Sequence, residues 1–140
     1  FKEHNIYEFT PQTIRDAVTE IRKIKLPDPS VVNNNGSFFT NPLVDQAKYQ
    51  ELKNKYPGIK AWPHEDGKVK ISAGWMLEQA GFKDFHDRQG GMGTWRGSAL
   101  VMVNEHAKNT ADLLAFKQKI QSKIHEMFGI VLEQEPELLP

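Results

Sequence analysis

Ile14, Ala17, Val18, Ile21 and Ile24 recur at intervals of three and four, the spacing of one face of a helix. Thr10 stands ahead of them as an N-cap hydroxyl and Pro11 as a first helical residue, while Pro27 and Pro29 stop the run. A second helical stretch is predicted over 45–55, carrying Ala47, Tyr49 and Leu52 inward and ending at Pro57-Gly58. The pattern then changes to alternation. Val69 and Ile71 mark a hairpin over 59–72 around Asp66-Gly67. Ser72 opens a short third helix that buries Trp75, Met76 and Leu77 and ends at Gly81. The run Ala99-Leu100-Val101-Met102-Val103 is the strongest strand and is expected to be central. Asn109, with Asp112 three residues on, starts the longest helix. Its stripe is Leu113, Phe116, Ile120, Ile124 and Met127 or Phe128, and Gly129 ends it. Short strands are predicted at 37–41 and 130–132, and residues 1–9 read as a strand remnant or a linker.

Helices and strands alternate unevenly, which predicts an α+β fold with a mixed sheet packed against helices. The 140 residues and 39% apolar content suit one domain with one core. Eighteen basic and eighteen acidic residues cancel, so no global field favours nucleic acid, and any anion site must be local. The basic group Arg15, Arg22, Lys23 and Lys25 has no interleaved aromatics, which also argues against a nucleic-acid partner. No apolar run approaches the ~18 residues of a membrane span. The absence of cysteine excludes disulfides and thiolate ligands. The five histidines show neither HxxxH nor HExxH spacing, so no metal site is expected. Gln89-Gly90-Gly91-Met92-Gly93 lacks both the GxGxxG and the Walker A spacing and reads as a turn. The chain begins at Phe1, and an upstream part is expected.

Chemistry gathers at a few places. Ser37 sits in Gly36-Ser37-Phe38-Phe39-Thr40-Asn41-Pro42, a hydroxyl between a flexible glycine and two anchoring aromatics. It is either a solvated residue at a loop-strand junction or a proton donor held at a fixed point. Arg22 and Lys25, three apart on the last turn of the first helix, either favour the helix C-terminus or form a phosphate clamp. Glu133, Glu135 and Glu137 alternate along the tail, so all three can share a face, as a solvated acidic tail or with one carboxylate aimed at a substrate. Arg96 and Ser98 stand at the mouth of the central strand, where ligands often bind. Trp75 and Trp95 read as packing residues.

Five stretches in order, KLPDP at 25–29, GSFFTNP at 36–42, SAGWMLEQAGFK at 72–83, GGMGTWRGSALVMVN at 90–104 and FGIVLEQE at 128–135, resemble the C-terminal part of the UDP-N-acetylenolpyruvoylglucosamine reductases. The presence of 41–72 resembles the longer, type I branch. The resemblance implies a division at 1–29, the end of an upstream FAD-binding region with its connecting helix, and 30–140, a substrate-binding domain. It further implies a cytoplasmic bacterial flavoprotein oxidoreductase of peptidoglycan synthesis, and so of cell-wall biogenesis, cell shape and cell division. FAD and NADPH serve that longer enzyme, and none is expected bound to this chain alone. The implied partners are UDP-N-acetylglucosamine enolpyruvate and the FAD-binding regions. Ser37 falls on the family's acid and Glu135 on its assisting glutamate. Pro136 stands where the family carries an apolar residue, and a two-residue slip would make it Glu137. Substrate contacts carry over onto Arg22, Lys25 and Asn41, and onto Ser98, where the family commonly has glutamine. A non-catalytic nucleotide-sugar-binding module of the same fold is the alternative.

Overall fold

The computed structural model describes residues 9–137. The strand-or-linker reading of 1–9 therefore lies almost wholly outside the described residues. Helix α1 (Pro11–Lys25) starts where the sequence predicts. The Thr10 side chain accepts from the Thr13 amide at 3.1 Å, and the Thr10 amide donates to the Thr13 hydroxyl at 3.0 Å. This reciprocal cap satisfies two donors that a bare helix end would leave open. Strands β1 (Asn34–Ser37) and β2 (Leu43–Val44) lead to helix α2 (Gln46–Lys55), which Asp45 caps by accepting from the Lys48 amide at 2.7 Å. Strands β3 (Ala61–Pro63) and β4 (Val69–Ile71) form the expected hairpin, followed by helix α3 (Ala73–Gln79). Strands β5 (His86–Asp87), β6 (Met92–Trp95) and β7 (Ser98–Asn104) precede the long helix α4 (Thr110–Phe128), capped by Asn109 and closed by Gly129 in the left-handed conformation.

The fold is α+β. In place of the expected mixed sheet there are two antiparallel sheets, ordered β1-β7-β6-β5 and β2-β4-β3. The pairings β3–β4, β5–β6 and β6–β7 join consecutive strands through short turns, which is open only to antiparallel pairs. Strand β7 is internal to its sheet, and Ala99, Val101, Met102 and Val103 are buried on it. The core lies between the sheets and helices α3 and α4. Phe116, Ile120, Ile124 and Phe128 project from α4 at four-residue intervals onto Met76, Leu77 and Met102. Each such side chain contributes roughly 1.5–3 kcal/mol by leaving water.

Three expectations are corrected. Ala47 is exposed, because α2 meets the core chiefly through Leu52. The apolar stripe of α1 is formed but largely uncovered: only Ala17 is buried, while Ile14, Val18 and Ile24 are 40%, 42% and 70% exposed. The strand predicted at 37–41 forms a ladder only as far as Ser37, with a single further bridge from Phe39 to Gln134, and 130–132 forms no ladder. The tail is held by side chains and by backbone hydrogen bonds to Phe38 and Thr40. Ile130 and Leu132 are buried, and Gln121 of α4 donates to the Leu132 carbonyl at 2.7 Å.

Candidate functional site

Ser37 owes its position to a β-bulge. Asn34 pairs with Val103 and Ser37 with Val101, so three steps along β1 oppose two along β7. Gly36 absorbs the extra residue at φ 67°, a conformation L side chains rarely adopt. Asn34 braces the turn: its side-chain oxygen accepts from the Gly36 amide at 3.0 Å, and its amide donates to the Val32 carbonyl at 2.9 Å. Beyond Ser37 the chain is pinned by Phe38 and Phe39, both buried and meeting edge to face at 5.0 Å. The serine itself stays exposed.

The tail joins this segment from the far end of the chain. Phe39 and Gln134 form an isolated antiparallel bridge, the Thr40 amide donates to the Glu133 carbonyl at 3.0 Å, and the Glu135 amide donates to the Phe38 carbonyl at 2.9 Å. Lys117 of α4 fixes the tail by donating to the Gln134 side chain at 2.8 Å. Glu133, Glu135 and Glu137 are all exposed. Only Glu135 of the three lines the cleft beside Ser37.

That cleft, of about 310 Å³, is lined by Ser37, Phe39, Thr40, Asn41, Lys70, Leu100 and Glu135. Three larger clefts, of about 390, 480 and 390 Å³, lie elsewhere among the described residues, and none is lined by Ser37, Asn41 or Glu135. Asn41 is oriented by its own hydrogen bond: its Oδ1 accepts from the Ala73 amide at 2.9 Å. The Nδ2 donors are left for a ligand. Arg22, Lys25 and Ser98 do not line the cleft. Arg22 and Lys25 are exposed at the end of α1, and the Lys25 carbonyl packs against Gly97 in the β6–β7 turn, next to Ser98. Ser98 opens β7 two residues before Leu100, roughly 7 Å along the strand.

Sequence reasoning overlooked Lys70. Val69 and Ile71 on either side are buried, so strand alternation turns Lys70 to the opposite face. A lysine there looks like an ordinary solvated residue until the fold sets it beside Asn41. Among the described residues no group of three or more histidine or acidic side chains could hold a metal. The glycine-rich turn at 89–93 does not fit a flavin phosphate. The Gly91 amide donates to the Asp87 carbonyl at 2.8 Å, and the room above its Cα is filled by the Ala107 backbone. Among the described residues no helix is long and apolar enough to cross a membrane.

The class is thus a two-sheet α+β domain with a small cleft offering donors for an oxyanion beside a serine and a carboxylate. Residues 28–139 match the family "UDP-N-acetylenolpyruvoylglucosamine reductase, C-terminal domain", and the chain belongs to it. A UDP-N-acetylenolpyruvoylglucosamine reductase of Pseudomonas putida is 45% identical over 136 residues, covering 97% of this chain and 40% of the relative. The reductase of that name from Bordetella pertussis is 42% identical over 132 residues, covering 94% of this chain and 37% of its own length. That from Burkholderia multivorans is 42% identical over 134 residues, covering 91% and 36%. The chain therefore spans about 40% of the length of such relatives or somewhat less.

Proposed function

We propose that this chain is the substrate-binding part of a longer cytoplasmic reductase of peptidoglycan synthesis, acting on the enolpyruvyl ether of UDP-N-acetylglucosamine. The observation that carries this reading is the meeting of Ser37, Asn41 and Glu135, drawn from opposite ends of the chain, in one cleft. The division at residues 1–29 and 30–140 belongs to the same proposal, with FAD-binding regions preceding α1.

The reaction adds a hydride and a proton across a carbon-carbon double bond. FAD, reduced by NADPH, would supply the hydride from those upstream regions. Ser37 donates the proton that completes the lactyl group. An unperturbed serine is a weak acid, but an enol or carbanion is basic enough to take its proton at short range, and such help is worth roughly 10²–10⁴-fold. Glu135 assists at the enol. Asn41 binds the substrate within the cleft. Arg22 and Lys25 supply positive charge toward the diphosphate from the end of α1, with Ser98 between them and the cleft.

Two half-reactions of the full-length enzyme test the role of Ser37. Ser37→Ala should leave flavin reduction by NADPH nearly intact and slow reoxidation by the enolpyruvyl substrate by at least ~10². Ser37→Cys should recover part of the rate, because a thiol is a stronger acid. Near wild-type reoxidation in a well-folded Ser37→Ala enzyme would remove Ser37 from the chemistry. No turnover by the wild-type enzyme would return the chain to a nucleotide-sugar-binding module.

A further inference from the structure

The tail that carries Glu135 makes little backbone pairing of its own. Phe39 and Gln134 form one isolated bridge, with hydrogen bonds from the Thr40 amide to the Glu133 carbonyl and from the Glu135 amide to the Phe38 carbonyl. Pro136 follows at once and has no N–H to continue the series. So short a pairing specifies its register weakly. A slip of one residue would turn Gln134 toward the cleft and Glu135 away from it.

Helix α4 supplies the register that the backbone lacks. Gln121 donates to the Leu132 carbonyl at 2.7 Å. Lys117, one turn earlier on α4, donates to the side chain of Gln134, two residues later on the tail, at 2.8 Å. Four residues of helix rise ~6 Å and two residues of a β chain ~6.6 Å, so the two contacts match in spacing. Burial follows the same period: Ile130 and Leu132 are buried and Gln134 half-buried, while Val131, Glu133 and Glu135 are exposed.

The Gln134 carboxamide works at both ends. Its Oε1 accepts from Lys117, and its Nε2 donates to the Pro136 carbonyl at 2.7 Å, so the two neighbours of Glu135 are tied to each other and to α4. Both bonds are partly buried, where water competes less. Among the described residues Lys117 is in no ion pair, so no carboxylate draws its ammonium off Gln134.

We propose that Lys117 and Gln134 are positioning residues for the reduction: their hydrogen bond fixes the register of the tail and so holds the Glu135 carboxylate in the cleft. This rests on the functional reading given above. Neither residue lines the cleft, and each acts through Glu135.

The test is a double-mutant cycle in the full-length enzyme, read as single-turnover reoxidation of reduced flavin at saturating enolpyruvyl substrate. Lys117→Met removes the donor and keeps a good helix former. It should slow reoxidation by about tenfold or more, since a misplaced catalytic group costs rate. Affinity for UDP, measured by calorimetry, should change less than about twofold, because the diphosphate does not depend on Glu135. In a Glu135→Gln background the same substitution should slow the reaction less than about twofold further, since the carboxylate it acts through is already gone. Lys117→Arg, which keeps a charged donor on a long stem, should restore most of the rate. Equal slowing by Lys117→Met in the wild-type and Glu135→Gln backgrounds would overturn the proposal. So would a wild-type rate in the Lys117→Met enzyme, or a loss of UDP affinity as large as the loss of rate. Gln134→Met, which breaks the same bond from the other side, takes the place of Lys117→Met if that protein does not fold, with the same expectations. Failure of the wild-type enzyme to reoxidise flavin with the enolpyruvyl substrate would instead sink the functional reading, and the proposal with it.

Discussion

The backbone amide of Glu135 donates to the carbonyl of Phe38 at 2.9 Å, so a carboxylate near the end of the chain is carried beside Ser37. Two residues further on, Glu137 is exposed and does not line the cleft. In single-turnover reoxidation of reduced flavin by substrate, Glu135→Gln should therefore be slower than Glu137→Gln. Glu137→Gln should stay within a few-fold of wild type, as expected for a solvated side chain. The reverse order would mean that the tail is displaced by two residues in the working enzyme.

A Cβ on Gly97 would stand 2.5 Å from the Lys25 carbonyl oxygen and 3.0 Å from its carbonyl carbon and Cα. All three are backbone atoms, so no side chain can swing away. Gly97→Ala should force the end of α1 off the β6–β7 turn and destabilise the protein by about 1–3 kcal/mol, the usual cost of overpacking. The cations of Arg22 and Lys25 ride on that helix end, so affinity for UDP should fall with stability. A Gly97→Ala protein with unchanged melting temperature and UDP affinity would show that α1 is not seated by this contact.

Much of this architecture is legible in the chain. Thr10-Pro11, Asp66-Gly67 and Asn109 each mark a boundary that the structure keeps, because caps and tight turns are local chemistry. The site is legible in part. Ser37 stands out by its neighbours, but the bulge that presents it depends on pairing with β7, where Ser37 meets Val101 far along the chain. Lys70 could not be found from pattern alone, since alternation reveals that it faces away from Val69 and Ile71 but not what lies across from it. Ala47 and the stripe of α1 failed for the converse reason. Periodicity shows which residues would face a partner without showing that one is there.

Between α1 and β1 the chain turns on Asp28. The Ser30 hydroxyl, at 2.6 Å, and then the Ser30 amide, at 2.9 Å, donate to its carboxylate and hold it below the usual 3.8. A carboxyl lowered in the folded state contributes its stability in full above its unfolded value, and that contribution is lost as pH falls through the lowered value. Carbon-detected NMR titration should find Asp28 protonating below 3.8. In Ser30→Ala its midpoint should move up, because the larger of the two causes is gone. An Asp28 midpoint at or above the ordinary value in the wild-type protein would show that the turn does not depend on this charge.

Asn41 has two duties that one pair of substitutions can separate. Its Oδ1 accepts from the Ala73 amide at the start of α3, while its Nδ2 group is free to donate into the cleft. Asn41→Asp keeps the acceptor and adds negative charge at a helix N-terminus, which is stabilising or neutral by a few tenths of a kcal/mol up to about 1. The same charge stands where we expect a phosphate, and both donors are lost. Asn41→Asp should therefore melt at or slightly above the wild-type temperature yet bind UDP at least ~10-fold more weakly. Asn41→Ala loses the acceptor too, and its Ala73 amide must find water. It should lose roughly 0.5–2 kcal/mol of stability, as for a removed helix cap. Its UDP affinity should fall less than in Asn41→Asp, because nothing there repels the anion. Equal UDP affinity in all three proteins would confine Asn41 to the helix cap and take the phosphate away from this end of the cleft.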